Sequence, residues 1–211
     1  MEIIKLKNIN KNYGNNIVFD NYNLTVKKGE YICIMGKSGA GKSTLLNIIG
    51  LLEAFDSGTL EICNINNPKI NSKVGRDLLR YHISYLFQNY GLIEEHTVEK
   101  NILIATKYMK DKSNISDKIR EVLSNVGLVG FEKKKVYQLS GGEQQRVALA
   151  KIMIKPSEII LADEPTGSLD SENKELVLSI IDSLHKKGKT IVMVSHDETI
   201  KKYAERIEIL K

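Results

Sequence analysis

The octapeptide Gly36-Lys37-Ser38-Gly39-Ala40-Gly41-Lys42-Ser43 constrains this chain more than any other stretch. It has the form GxxxxGK[ST] and joins the apolar run Tyr31-Ile32-Cys33-Ile34-Met35 to the helical pattern Thr44-Leu45-Leu46-Asn47-Ile48-Ile49. The apolar run reads as a buried strand, so the loop is predicted to lie between a strand end and a helix start. There the glycines permit a sharp turn, and several backbone N–H groups converge at the positive end of the helix. Lys42 then reaches the β- and γ-phosphates of a nucleotide, and the Ser43 hydroxyl can ligate Mg²⁺. An ordinary glycine-rich turn would not need this strand and this helix around it. The expectation is a site for a nucleoside triphosphate.

A chain of 211 residues can form one large domain, or a core with a lobe. No apolar run approaches the roughly 20 residues that a membrane span needs. Even Leu45 to Phe55 is interrupted by Asn47, Gly50 and Glu53. The opening Met1-Glu2-Ile3-Ile4-Lys5 has no basic segment followed by a long apolar core, so no secretory signal is expected. Cys33 and Cys63 make no CxxC pair and have no His beside them in sequence, and both are expected as reduced, buried thiols. Net charge is +5. The lysines gather in short groups at 133–135, 186–187 and 201–202, near helix ends or loops, where they solvate the surface and complement helix dipoles. No nucleic-acid partner is expected.

Ile3 to Lys7, Ile17 to Phe19, Leu24 to Val26 and Thr59 to Cys63 read as strands. Asn64 to Ser72 reads as a polar connection, Val74 to Tyr81 as a short helix, and Ile83 to Phe87 as a buried strand ending at Gln88. The character then changes. Thr97 to Met109 and Ile115 to Val126 carry apolar residues at helical spacing, and a third helix begins near Gly142. A helical lobe over 89–155 is therefore expected, set between core segments 1–88 and 156–211 of a single domain. Ile159 to Ala162 restores strand character. Glu172 to His185 is an amphipathic helix stopped by Gly188. Ile191 to Val194 is a continuous apolar run, as expected of a parallel strand covered on both faces, and Ile207 to Leu210 is the last strand.

Hydrolysis needs more than a phosphate cradle: a metal site, a carboxylate that orients water, and stabilisation of the transition-state charge. Ile159-Ile160-Leu161-Ala162-Asp163-Glu164-Pro165 is a buried strand ending in two acids. Asp163 would hold Mg²⁺ near Ser43, and Glu164 would accept or orient the proton of the attacking water. In Leu139-Ser140-Gly141-Gly142-Glu143-Gln144-Gln145-Arg146, Ser140 and Glu143 form a capping box that opens a helix running through Met153. A capping box does not explain two successive glycines. Gly141 and Gly142 leave bare N–H groups at a helix start, a second phosphate site. Two such sites in one chain suggest that two copies share each nucleotide.

The glycine loop, LSGGEQQR and ILADEP, in this order, resemble the nucleotide-binding subunit of an ABC transporter over essentially the whole chain. The resemblance implies an α/β P-loop NTPase with a mostly parallel core sheet, an N-terminal antiparallel β-subdomain and an inserted α-helical subdomain. It implies ATP and Mg²⁺ as cofactors and a head-to-tail homodimer. ATP would be held by Tyr13, which stacks on adenine, by Gly36, Ser38, Gly39, Ala40, Gly41, Lys42, Ser43 and Thr44, and by the second copy's Ser140, Gly141 and Gly142. Ser43, Gln88 and Asp163 would hold the metal. Glu164, His196, Gln88 and Lys42 would be catalytic, His196 as a γ-phosphate switch, and Ser168-Leu169-Asp170 resembles the loop that crosses the dimer interface. Lys151 stands where many relatives have Arg, with little effect expected. The chain stops soon after its final strand, so no accessory regulatory domain is expected.

Asp163 to Asp170 resembles the branch of macrolide exporters and lipoprotein-releasing ATPases, and Val136 to Ser140 is similar to ATPases of bacteriocin exporters of the lactococcin 972 group. This implies an ATPase on the cytoplasmic face of the membrane that powers export or extraction through a separate permease. Tyr90, Leu92 and Ile93 are the expected contact with that permease. Force transmission without transport, and a soluble ATPase acting on DNA or ribosomes, stay open as alternatives.

Overall fold

The computed structural model describes residues 1–167 and 169–210. Strands β1 (Glu2–Tyr13), β2 (Asn16–Lys27), β4 (Ser57–Ile62) and β5 (Ile65–Asn66) form an antiparallel sheet in the order β2-β1-β4-β5. Strands β3 (Tyr31–Gly36), β6 (Ile83–Leu86), β7 (Ile159–Asp163), β8 (Thr190–Val194) and β9 (Arg206–Leu210) form a second sheet, ordered β6-β7-β8-β3-β9, with every pair parallel.

The inner strands are apolar throughout because both faces of the parallel sheet are covered. Ile32 and Ile34 of β3 join a core shared with the antiparallel sheet and helix α1 (Lys42–Ile49). Tyr31, Cys33 and Met35 point into a second core on the opposite face. That face carries α5 (Gly141–Ile154) and α6 (Ser171–Lys186). Helices α3 (Val98–Thr106) and α4 (Ile115–Asn125) attach to it by placing Val98, Ile102, Ile119 and Leu123 in the same apolar cluster as Val147 and Leu149 of α5. Helix α2 (Lys73–Tyr81), capped by Ser72, leads into β6. No helix among the described residues is long and apolar enough to cross a membrane.

Ile17–Phe19 and Leu24–Val26, expected as separate strands, are two parts of β2. Between them Asn21 takes φ 50°, and Asn8 of β1 takes the same value where the register shifts. Asn tolerates this left-handed region better than most residues. Asparagine side chains also take up the displaced donors: Asn21 N–H donates to Asn10 Oδ1 and Asn8 N–H to Asn23 Oδ1, each at 2.9 Å. The break in alternation marks an irregularity inside a strand, as bulges do, and not its end. The polar connection over 64–72 contains β5, and α3 ends at Thr106, short of Met109. Cys63, expected buried, is half-buried.

Candidate functional site

Because β7, β8 and β3 are adjacent and parallel, the segments that follow them emerge at one edge of the sheet, where open α/β sheets bind ligands. That edge collects the glycine loop after β3, Asp163 and Glu164 at the end of β7, and His196 after β8.

Gly41 is the N-cap of α1, with φ 87° and no side-chain cap. The first N–H groups of the helix thus have no side-chain acceptor at the cap, the arrangement that accepts an anion. A Cβ on Gly41 would come within 2.4 Å of Val18 Cγ1 and 3.2 Å of Phe19 Cζ. The antiparallel sheet therefore lies directly beneath the last turn of the loop. Gly36 is confined from the other side, since a Cβ there would lie 2.5 Å from the Leu210 carbonyl oxygen of β9. Ser38 and Gly39 are exposed, and Ala40 is half-buried. Lys42 Nζ donates to the carbonyls of Gly36 (2.9 Å) and Lys37 (3.0 Å), so its ammonium lies inside the loop.

Ser43 Oγ donates to Asp163 Oδ1 at 3.1 Å. Asp163 is buried, and that burial pushes its pKa up despite the Ser43 hydrogen bond. Gln88, two residues past the end of β6, and Asp163 line the same open cleft of about 500 Å³, with Asn47 and Tyr85 beside them. Hydroxyl, carboxylate and amide oxygens are the hard donors that Mg²⁺ takes, and an inward carboxylate disfavoured by burial suits a cation. The donor set fits the ion.

Glu164 has φ 46°, rare for a residue with a side chain, and its N–H donates to the Val194 carbonyl of the next strand at 3.0 Å. Backbone in this region costs on the order of 1–3 kcal/mol and concentrates where function holds it. The conformation leaves the Glu164 carboxylate largely buried, with Oε2 3.0 Å from His196 Nδ1. His196 itself is exposed. The two residues assigned to catalysis after separate strands are thus in contact.

Tyr13 ends β1 with its ring half-exposed. Its hydroxyl lies 3.5 Å from Thr44 Oγ1 and also donates to Glu53, while the Lys11 ammonium sits 4.6 Å from the ring centre. At the start of α5 the capping box forms as expected: Glu143 N–H donates to Ser140 Oγ at 3.3 Å, and Ser140 N–H donates to Glu143 Oε2 at 2.7 Å. Within the chain, Gly141 and Gly142 back onto other elements. A Cβ on Gly141 would lie 3.3 Å from the Tyr90 hydroxyl, and one on Gly142 would lie 2.9 Å from Asn173 Oδ1. Asn173 is itself tied to Asp170, the N-cap of α6. Of the expected interface loop, Ser168 lies outside the described residues.

Leu92, like Tyr90, is half-buried against the helical core, whereas Ile93 is exposed. Lys151 donates to the Gly91 carbonyl at 2.6 Å and ties α5 to the segment after Gln88. Val18 under Gly41 and Asn173 behind Gly142 carried no motif. Their only sequence signal is the glycine each one confines.

A phosphate loop, a buried Asp bonded to its serine, and a following Glu in contact with a His together define a P-loop ATPase. The chain belongs to the ABC transporter family, whose model matches residues 19–167. Among curated relatives, the macrolide export ATP-binding/permease protein MacB of Mannheimia succiniciproducens is 41% identical over 100% of this chain and 34% of its own length. MacB of Campylobacter jejuni is 40% identical over 99% of the chain and 33% of the relative. The chain thus spans about a third of these relatives. Among solved structures, the dimeric bacterial ABC transporter cassette MJ0796 superposes with TM-score 0.90 at 39% identity, covering 99% of this chain and 94% of that one. A post-hydrolysis dimer of the same cassette bound to ADP and Pi gives 0.88 at 36% identity, with the same coverage.

Proposed function

We propose that two copies of this chain close head to tail on ATP and that the closure drives export through a membrane permease. The observation that carries the reading is the buried Glu164 carboxylate held 3.0 Å from His196, one residue beyond the Asp163–Ser43 contact. A carboxylate placed there accepts the proton of an attacking water, and His196 beside it reaches the γ-phosphate. Lys42 leaves the loop carbonyls for the β- and γ-phosphates. Ser43, Asp163 and Gln88 would hold Mg²⁺, which offsets charge on those phosphates. Tyr13 offers its exposed ring to the adenine.

The Ser140–Gly142 turn has its own-chain neighbours in Tyr90 and Asn173, and its helix-start N–H groups are directed to the second copy's nucleotide. The dimeric state of the MJ0796 cassette supports this arrangement. The permease would meet the chain on the cytoplasmic side of the membrane, at a groove of about 470 Å³ between the sheet and the helical segment 89–155. Leu52, Phe87, Tyr90, Ile104 and Tyr108 line that groove, and the MacB relatives are named as combined ATP-binding/permease proteins. Export follows the macrolide-export names of those relatives, with the cargo chosen by the permease.

Glu164→Gln tests the chemistry. It should lower phosphate release by about 100-fold or more, the size of a general-base contribution, and leave an ATP-bound dimer on size-exclusion chromatography. Turnover at the normal rate would refute the role of Glu164. A strictly monomeric ATP-bound variant would refute the shared site.

A further inference from the structure

At the opposite end of the parallel sheet from the nucleotide loop, residues 63, 82 and 158 meet. Cys63 follows β4, His82 caps the end of α2, and Glu158 precedes β7. The sequence separates them widely, and Cys63 has no His within reach of a local motif. In the fold, His82 Nδ1 lies 2.7 Å and Cys63 Sγ lies 3.6 Å from the same oxygen, Glu158 Oε1. The three ligand atoms lie within 4.8 Å of one another, and all three residues are half-buried. The second carboxylate oxygen, Oε2, is held separately by Lys28 Nζ at 2.8 Å.

We propose that these three side chains form a site for a thiophilic divalent cation of the zinc type, distinct from the magnesium–nucleotide site. Two donors now converge on one carboxylate oxygen, an S–H and an imidazole N–H, because an ionised carboxylate can only accept. A single cation centred among the three atoms replaces both protons. Thiolate, imidazole and carboxylate are the ligand types zinc takes at about 2.0–2.3 Å, and half-burial leaves the fourth position to water. Small adjustments suffice, since tetrahedral bonds of that length put ligand atoms roughly 3.3–3.8 Å apart. The Lys28 bond to Oε2 keeps the carboxylate oriented, as outer partners do around metal ligands.

Proton balance is explicit. The Cys63 thiol loses its proton to solvent as the S–metal bond forms, and the His82 N–H proton leaves Nδ1 or moves to Nε2. Lys28 keeps its charge. Because binding displaces the Cys63 proton, it should tighten as pH rises. An occupied site would pin the end of the antiparallel sheet and α2 to the entry of β7.

The test uses the whole chain with a non-thiol reductant and no nucleotide, titrated with Co²⁺ and then Zn²⁺. One Co²⁺ per chain should bind with a thiolate-to-metal charge-transfer band, be displaced by Zn²⁺, and raise Tm. Cys63→Ser should abolish the band, and His82→Asn should weaken binding by about tenfold or more, by analogy with losses around metal ligands. Cys33→Ser should leave the band intact. Absence of the band in the wild-type chain, or its persistence in Cys63→Ser, would overturn the proposal.

Discussion

Gly41→Ala separates two physical demands that meet at one atom of the nucleotide loop. The first is backbone conformation: at φ 87° a Cβ costs about 1–2 kcal/mol, offset by roughly 0.4–1 kcal/mol from the smaller unfolded-state entropy of Ala. The second is space. The new Cβ would lie 2.4 Å from Val18 Cγ1, and valine on a strand has little rotamer freedom with which to retreat. Forcing such a contact costs typically about 1–3 kcal/mol. The single variant should therefore lose roughly 1–4.5 kcal/mol. Val18→Ala removes the colliding methyl and leaves φ unchanged. In the double variant the spatial cost disappears and the conformational one stays, a coupling of about 1–3 kcal/mol favouring the pair. Urea unfolding followed by far-ultraviolet circular dichroism measures all four corners of the cycle, since the chain contains no Trp. Binding of a fluorescent ATP analogue by the same variants reports the loop itself. Strict additivity would show that β2 does not brace the loop, and the account of why the antiparallel sheet lies beneath it would fail.

Two further tests address neighbouring elements. Ser140→Ala should cost about 1 kcal/mol of stability as a lost N-cap, yet lower ATP turnover well beyond what unfolding explains. Turnover that stays at the wild-type rate would leave Ser140 as a cap alone. Asp197 caps the short turn after His196: Thr199 N–H, then the Thr199 hydroxyl and Lys174, hold its carboxyl down at about 2 from the usual 3.8. A depressed carboxyl contributes stability that is present above 3.8 and lost as pH falls towards about 2. Asp197→Asn should flatten the acid limb of the Tm–pH curve in that window. Equal slopes in the two proteins would refute the assignment.

Local patterns carried the nucleotide loop, the Asp163–Glu164 strand end and the capping box at Ser140, because each is a contiguous stretch whose chemistry and geometry arise from neighbours in sequence. Strand β2 misled for a related reason. Alternation is a local signal, and asparagines at positive φ interrupted it without ending the strand. Cys63 misled because how far a side chain is buried depends on which elements arrive over it.

The order of strands in the parallel sheet was not written in any one segment. That order brings β7, β8 and β3 side by side, and so it alone places His196 against Glu164 and Asp163 against Ser43. Val18 beneath Gly41, Asn173 behind Gly142, and the meeting of Cys63, His82 and Glu158 are equally products of packing. By itself the sequence determined that phosphate could be cradled and which acids could act, since those properties belong to residues close along the chain. Only the tertiary structure decided which of them touch, because contact between distant segments depends on how the sheets and helices cover each other's apolar faces.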